Sequence, residues 1–234
     1  MKFLVTNDDG IDADGIAALA QTASKFGDVT VVAPERPHSG CGHQITSDGV
    51  ISVRETGERR WAIGGTPADC VRIGLSQIVP EADWVLAGIN AGANLGVDIF
   101  MSGTLAAVRE GALLGRHGIA FSRYCRTAGQ FDWPQAGALT DSLLESLLGR
   151  DLAAGEFWNV NLPAPVESSP HPGFVDCHVA TDPLRMDLKD HPTGVRYSGD
   201  YHRRGGIPGS DVDVCFSGDV SISRMSAWHI PVAP

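Results

Sequence analysis

The sequence FLVTNDDG, residues 3–10, runs from an apolar segment directly into two adjacent carboxylates and a glycine. A short apolar run of this kind is typical of a buried strand, and in open α/β sheets ligands collect beyond the carboxyl ends of the strands. We therefore expect Asp8 and Asp9 at a strand end, where two ionised carboxylates repel each other unless a cation lies between them. Taken alone, the motif is more often explained by a glycine turn and by the capping of a helix, here one that begins near Asp14, than by a metal site.

Further along the chain, apolar segments alternate with segments of helical periodicity. The predicted strands are residues 2–6, 29–33, 84–89, 118–122 and 157–161. The predicted helices are residues 14–26, 67–78, 103–115 and 136–148. This alternation favours right-handed βαβ units, and it predicts an α/β fold with a Rossmann-like, mostly parallel sheet that carries helices on both faces.

The pattern becomes irregular after residue 162. We expect a single domain over residues 1–234, in which residues 1–162 form the α/β core and residues 163–234 form an irregular arm and C-terminal extension. Arms of this kind often pack on a neighbouring subunit, so a homo-oligomer is expected.

Composition excludes several classes of partner. The 234 residues are 43% hydrophobic and carry a formal net charge of -10, which argues against a surface for nucleic acid polymers. The chain start lacks a signal-peptide core, and no apolar stretch approaches the length needed to span a membrane. Five scattered cysteines without a Cys-x-x-Cys motif suit reduced thiols in the cytoplasm and argue against structural zinc.

The loop PERPHSGCGH, residues 34–43, follows the second predicted strand and should open at the same sheet edge as Asp8. The hydroxyl of Ser39 is an oxygen ligand suited to a hard cation, and Arg36 could clamp a phosphate or order the loop. The alternative is ordinary turn chemistry, and we assign His38 and His43 to the loop rather than to a metal site.

The third predicted strand leads to Asn90, which can offer an amide oxygen to a metal, and to Asn94, which can reach a substrate oxygen. Ser102-Gly103-Thr104 then opens a helix whose free N–H groups and positive dipole end favour a phosphate. Capping and glycine turns explain either motif alone. Three strand ends that all supply oxygen donors favour magnesium or manganese over zinc.

These motifs resemble the SurE family of survival proteins, which are metal-dependent 5'/3'-nucleotidases acting on nucleoside monophosphates. The matching segments are residues 6–11 with 15–16, 32–40, 65–71, 88–96 with 102–104, and more weakly 159–163. For this chain, the resemblance implies a 5'-nucleotidase, with 3'-nucleotides and short polyphosphate as further expected substrates, and a homodimer or homotetramer.

The resemblance also implies a set of site residues. One divalent cation per subunit, Mg²⁺ or Mn²⁺, would be bound by Asp8, Asp9, Ser39 and Asn90. The phosphate would be held by Asn7, Asn94, Ser102, Gly103 and Thr104.

We expect direct attack of water on phosphorus, with the metal anchored by Asp8 and Asp9 and with Asp9 as the candidate base. The donors at Asn94 and at the helix start would take the charge that develops on the phosphoryl oxygens. An aspartate nucleophile stays open as an alternative.

Two other functions remain in contention. A dinucleotide-binding module is disfavoured because residues 7–10 place negative charge where its glycine motif would hold pyrophosphate. A noncatalytic nucleotide sensor remains the alternative, and it would bind nucleotide in EDTA.

Several other residues are predicted to be structural. Cys70, Cys125 and Trp84 are expected in the core, and Asp69 and Arg72 could form a structural pair. Asp211 and Asp213 are expected to be solvated surface charges.

Overall fold

The computed structural model of the chain describes residues 1–127, 129, 131–165, 171–183, 186–199 and 201–228. Its strands are β1 (Lys2–Thr6), β2 (Asp28–Pro34), β3 (Val53–Gly57), β4 (Arg60–Ile63), β5 (Trp84–Asn90), β6 (His117–Arg123), β7 (Glu156–Leu162), β8 (Phe174–Asp176), β9 (Leu188–His191), β10 (Gly194–Tyr197) and β11 (Val220–Ser226). Its α-helices are α1 (Asp14–Ala23), α2 (Pro67–Ile73), α3 (Gly103–Leu113), α4 (Trp133–Leu147) and α5 (Asp211–Ser217).

Nine of these strands form one sheet in the order β3-β4-β2-β1-β5-β6-β7-β11-β8. All neighbouring pairs from β4 to β7 are parallel, whereas β3 and β11 run antiparallel to β4 and β7. This sheet confirms the predicted α/β fold. The strand β1 lies between β2 and β5, so the chain segments that follow these three strands leave the sheet at one edge.

The sheet is buried on both faces. Phe3 and Val5 of β1 pack with α1 and α4, and the intervening Leu4 packs with α2 and α3 on the opposite face. Consecutive strand side chains point to opposite faces, which explains why β1 is a continuous apolar run rather than an alternating one. The core therefore fixes the direction in which β1 delivers the residues that follow it.

The observed helices differ from the predicted ones mainly at their ends. The predicted helix over residues 67–78 is an α-helix only to Ile73 and continues as a π-helical turn over Gly74–Ile78. At the other end of this helix, the Thr66 side chain accepts a hydrogen bond from the Asp69 backbone N–H, and the Asp69 carboxylate accepts one from the Thr66 backbone N–H. The predicted helix over residues 136–148 begins earlier, at Trp133, because the Asp132 side chain caps it.

Three structural predictions are wrong. Asp69 does not pair with Arg72; its carboxylate accepts hydrogen bonds from residues 46 and 66, and Arg72 instead pairs with Glu110. Cys125 is only partly buried, because it lies beyond the end of β6 rather than in the sheet. Asp211 is fully buried rather than solvated, since backbone N–H groups satisfy its carboxylate, whereas Asp213 is exposed as expected.

The region after residue 162 contains more regular structure than its sequence indicates. The strands β9 and β10 form a separate two-stranded hairpin, whereas β11 enters the main sheet beside β7. Some residues of the predicted arm and extension lie outside the described parts of the chain. Among the helices that the structure describes, none is both long and apolar enough to cross a membrane.

Candidate active site at the strand ends

Asp8 and Asp9 follow β1 at the sheet edge. Asp8 is 6% exposed, and its carboxylate accepts a hydrogen bond from the Thr104 hydroxyl at 2.6 Å. Asp9 is partly buried and accepts one from the Ala91 backbone N–H at 3.0 Å. Burial raises the pKa of Asp8 to about 6, with the Asp9 charge as a further cause, although the hydrogen bond from Thr104 opposes the shift. A negative charge on Asp8 is therefore costly in the absence of a compensating cation.

The surroundings of these carboxylates suit a hard divalent cation. Among the described residues, no Lys, Arg or His forms an ion pair with either Asp8 or Asp9. The side-chain oxygen of Asn7 is buried without a hydrogen-bond partner, while its amide nitrogen donates to the Gly10 carbonyl at 2.8 Å. Among the described residues, no three or more His, Cys, Asp or Glu side chains are arranged so that they could hold a metal ion, and the predicted metal set has only two such side chains. The donors are thus carboxylate, hydroxyl and amide oxygens, which Mg²⁺ and Mn²⁺ accept.

The loop over residues 35–46, which we call the Ser39 loop, is fastened to Asp8. The His38 backbone N–H donates to the Asp8 carbonyl at 2.7 Å. A side chain at Gly10 would contact the Arg36 backbone at 3.4 Å, so the loop lies close against the turn that follows Asp9. Ser39 itself is exposed, and no hydrogen bond of its hydroxyl is found among the described residues. The structure thus brings the Ser39 loop to the carboxylates and leaves this hydroxyl uncommitted.

Two further contacts hold the far end of the Ser39 loop. His43 Nε2 lies 2.7 Å from Glu110 Oε2, and Arg72 Nε donates to Glu110 Oε1 at 2.6 Å. Burial raises the pKa of Glu110, but the hydrogen bonds with His43 and Arg72 outweigh it and hold this pKa below its usual value. Thr46 donates to the Asp69 carboxylate at 2.7 Å. The sequence does not predict these anchors, because a lone Glu on a helix and a lone His in a loop give no signal of a partner.

Asn90 lies at the end of β5, next to the Asp9 contact. Its amide nitrogen donates to the Gly92 carbonyl at 2.8 Å, which leaves the side-chain oxygen as its available ligand atom. The following N–H, that of Ala91, is the donor to Asp9 already described. The turn that begins at Asn90 therefore contacts Asp9, and Asn90 lies at the same sheet edge as Asp8 and Asp9.

The N-terminus of α3 reaches the same edge. Ser102 caps the helix, accepting a hydrogen bond from the Leu105 N–H at 3.1 Å. A side chain at Gly103 would lie 2.8 Å from Asp8 Cβ and 3.0 Å from Cys41 Sγ, so only glycine fits there. Thr104 contacts Asp8 through its hydroxyl. The positive end of the helix dipole thus faces the buried carboxylate, which is an arrangement suited to anions and their counter-cation.

Asn94 occupies a different position from the other predicted ligands. It is 7% exposed, and its amide nitrogen donates to Ser122 Oγ at 2.7 Å. Its backbone N–H donates to Asn161 Oδ1 at 2.8 Å, and its carbonyl accepts from Asn159 and Asn161. Asn94 therefore joins a buried polar network that ties the loop after β5 to β6 and β7. The alternation of Asn159 and Asn161 within an apolar strand was the available signal for this network.

Most of the chain is similar to proteins of one known family. A family model described as survival protein SurE matches residues 3–183. A protein of Synechocystis sp., named as a provisional 5'-nucleotidase, is 45% identical over 225 residues, which cover 96% of this chain and 99% of that protein. The 5'-nucleotidase SurE of Myxococcus xanthus is 37% identical over 222 residues, covering 92% of this chain and 83% of its own. The crystal structure of the Sure protein from Aquifex aeolicus superposes with a TM-score of 0.84 at 29% identity, covering 99% of this chain and 95% of that chain.

Proposed function

We propose that this chain, which belongs to the SurE family, is a metal-dependent 5'-nucleotidase that hydrolyses nucleoside 5'-monophosphates to nucleoside and phosphate. The observation that carries the proposal is the buried Asp8 carboxylate, which lies beside Asp9 and against the N-terminus of α3 without a cationic side chain paired to it among the described residues. A carboxylate in that position needs a cation, and a helix start next to a cation suits a phosphate. The names of the relatives agree with this activity.

Four residues would hold the metal, namely Asp8, Asp9, Ser39 and Asn90. When bound, a divalent cation supplies positive charge for the phosphoryl group and makes water more acidic. The hydrogen bond from Thr104 holds the Asp8 carboxylate in position. Asp9 is the candidate acceptor of the proton that water releases during attack on phosphorus.

The phosphate would be oriented by groups of this chain at the α3 N-terminus. The backbone N–H groups of Gly103 and Thr104 would offer donors. The absence of a side chain at Gly103 lets this helix start lie directly against Asp8. Ser102 fixes this helix start. Asn7 holds the turn after β1 in shape, and Asn94 would support the phosphate from the loop after β5. Attack by an aspartate rather than by water is the mechanistic alternative, and it would leave a phosphate on Asp8 or Asp9.

The substrate range, the assembly and the location also belong to the proposed function. We propose 3'-nucleotides and short polyphosphate as additional substrates, a homodimer or homotetramer as the assembly, and the cytoplasm as the location. None of the five cysteines, all of which lie in described parts of the chain, forms a disulfide, which supports a reducing compartment. Nucleic acid polymers and membranes are not proposed as partners, since the net charge is -10.

The proposal is tested by phosphate release from nucleoside 5'- and 3'-monophosphates and tripolyphosphate in Mg²⁺, Mn²⁺ or EDTA. We expect release from 5'-monophosphates only with metal, and a loss of roughly 100-fold or more in Asp8→Asn and a smaller loss in Ser39→Ala. Asp48→Asn, at an exposed position, is the matched control and should keep full activity. Circular dichroism verifies that each variant is folded.

The second candidate, a noncatalytic nucleotide sensor, predicts a different result. A sensor would bind adenosine 5'-monophosphate in EDTA as tightly as in Mn²⁺ and would release no phosphate. Calorimetric titration under both conditions separates it from the nucleotidase.

A further inference from the structure

Two asparagines of β7 lie in the core behind the loop that follows β5. Asn159 and Asn161 are both fully buried, and they point to the same face of the sheet because they are two residues apart in a strand. An amide inside an apolar core is costly unless it is hydrogen-bonded. Both side chains bond to Asn94, which is more than 60 residues away in the sequence. Their partner is therefore the loop after β5.

The Asn161 side chain binds both backbone groups of Asn94. Its Oδ1 accepts from the Asn94 N–H at 2.8 Å, and its Nδ2 donates to the Asn94 carbonyl at 3.1 Å. Asn159 Nδ2 donates to the same carbonyl at 3.0 Å. A backbone N–H only donates and a backbone carbonyl only accepts, so these partners fix the orientation of the Asn161 amide. Asn161 thus binds this loop residue much as a neighbouring strand would.

The strand pairing shows how far this contact lies from the candidate metal ligand Asn90. At the end of β5, Asn90 is paired with Ser122 of β6, and Ser122 is paired with Asn161 of β7. Neighbouring strands lie about 4.8 Å apart, so the backbones of Asn90 and Asn161 are separated by roughly 10 Å across the sheet. The Asn94 side chain donates to Ser122 Oγ at 2.7 Å. The loop therefore runs from β5 over the end of β6 to β7.

The start of the same loop carries groups of the candidate site. Asn90 Nδ2 donates to the Gly92 carbonyl at 2.8 Å, and the Gly92 N–H donates to the Asn90 carbonyl at 3.0 Å, which makes a tight turn. Within this turn, the Ala91 N–H donates to Asp9 Oδ2 at 3.0 Å. A single residue, Ala93, separates the turn from Asn94. The position of Asn94 therefore limits where the turn can lie.

We propose that Asn159 and Asn161 are positioning residues of the candidate active site. By binding the Asn94 backbone they hold the turn at Asn90 in contact with Asp9, and they do so without touching metal or substrate. The inference rests on the proposed metal site for its functional consequence. Because Asn90 and Asp9 are candidate ligands, loss of this support should weaken metal binding first, as loss of outer partners of metal ligands does.

The test is calorimetric titration of Mn²⁺ into the chelated protein. Asn161→Leu removes both polar groups and should raise the Kd for Mn²⁺ by about 10-fold, and the milder Asn159→Ala, which leaves the Asn161 contacts in place, should raise it by roughly 3-fold. The matched control is Ser221→Ala. Ser221 is fully buried on β11 directly opposite Asn161, and its hydroxyl has no hydrogen-bond partner in the described parts of the chain. This control should keep the wild-type Kd.

Phosphate release from adenosine 5'-monophosphate separates positioning from a general loss of stability. At low Mn²⁺ we expect Asn161→Leu to lose about 10-fold in rate, and saturating Mn²⁺ should restore part of kcat because the weakened step is metal binding. Circular dichroism verifies that each variant is folded, and Asn159→Ala provides the same comparison should Asn161→Leu not fold. A rate that stays equally low at all Mn²⁺ concentrations would overturn the proposal.

Hydrogen exchange reads the loop without metal or substrate. Exchange in residues 90–96 should become faster in both asparagine variants and stay as in the wild type in Ser221→Ala. Unaltered exchange in this loop, or faster exchange with a wild-type Kd for Mn²⁺, would overturn the proposal. Mn²⁺ binding that Asn161→Leu weakens, in a wild type that releases no phosphate, would support the positioning role and contradict the nucleotidase alone.

Discussion

The burial of Asp8 disfavours the ionised form of its carboxyl group. Its carboxyl group is 6% exposed, and burial raises its pKa to about 6 from an ordinary value of 3.8. The repulsion from Asp9 acts in the same direction. In the absence of a bound cation, ionised Asp8 therefore weakens the folded state.

The raised pKa of Asp8 predicts how the stability of the protein depends on pH. Because the folded pKa lies above the unfolded value, the favourable contribution of Asp8 is complete below a pH of about 4 and is lost as the pH rises through about 6. In EDTA at pH 8 we expect Asp8→Asn to be more stable than the wild type, by at most about 3 kcal/mol, with the difference gone near pH 4. Urea unfolding at the two pH values measures it. Asp48→Asn should show no such pH dependence, and a wild type more stable than Asp8→Asn in EDTA at pH 8 would contradict the account.

Gly103 carries a second prediction at this scale. A Cβ there would lie 2.8 Å from Asp8 Cβ, a contact that the fixed start of α3 cannot relieve. We expect Gly103→Ala to lower kcat/KM by at least roughly 10-fold and the free energy of unfolding by about 1–3 kcal/mol. Gly137→Ala is the matched control, because its Cβ would make only an ordinary contact at 3.5 Å with Thr22. This control lies inside α4 and should stabilise the protein by up to about 1 kcal/mol. Full activity in Gly103→Ala would show that the contact does not matter.

Among the elements, the Ser39 loop depends most on contacts distant in sequence. Its end is held by His43, which bonds to the buried Glu110 of α3 at 2.7 Å. We expect His43→Ala to lower kcat/KM on the order of 10-fold, because a loosened loop misplaces Ser39. Hydrogen exchange in residues 35–46 should become faster, while the urea midpoint changes little.

The control for the loop is His191→Ala on the exposed β9 strand, which should leave both exchange in the Ser39 loop and activity as in the wild type. Faster exchange over the whole of α3 in His43→Ala would instead indicate a general loss of stability. Unaltered exchange in the loop would mean that His43 does not hold it.

At the scale of the whole molecule, Asp211 connects the C-terminal region to the loop before α3. Its carboxylate accepts hydrogen bonds from the backbone N–H groups of Gly96 and Ala180, both at 2.8 Å. Removing it leaves these N–H groups unpartnered, so Asp211→Ala should lower the free energy of unfolding by about 2–4 kcal/mol. Asp213→Ala, on the same helix but exposed, should cost less than about 1 kcal/mol. Equal effects of the two substitutions in urea unfolding would contradict the role of Asp211.

The residues at this edge of the sheet could be predicted because local sequence patterns mark the ends of the strands. Apolar runs such as residues 3–5 fix the strands, and the polar residues directly after β1 and β5 must then lie at one edge. The confirmed mostly parallel fold follows from this alternation alone. The ligand roles of Asp8, Asp9, Ser39 and Asn90 remain predictions.

Partners across long sequence separations could not be predicted. Glu110 and His43 are 67 residues apart, and Asp211 accepts a hydrogen bond from Gly96, which is 115 residues away in the sequence. A lone carboxylate in a helix looks the same in sequence whether it is solvated or buried. The strand β11 was not predicted, because the apolar and polar alternation of Val220–Ser226 is broken at Arg224 and the segment follows irregular sequence.

The central claim is that one divalent cation at the Asp8 and Asp9 edge makes this chain a nucleotidase. The most direct measurement titrates Mn²⁺ into the chelated protein and follows bound manganese and phosphate release from adenosine 5'-monophosphate in the same sample. We expect activity to rise in proportion to bound metal up to one Mn²⁺ per chain, and folded Asp8→Asn to show neither tight binding nor release. Phosphate release that persists in EDTA, or that is unchanged in Asp8→Asn, would contradict it.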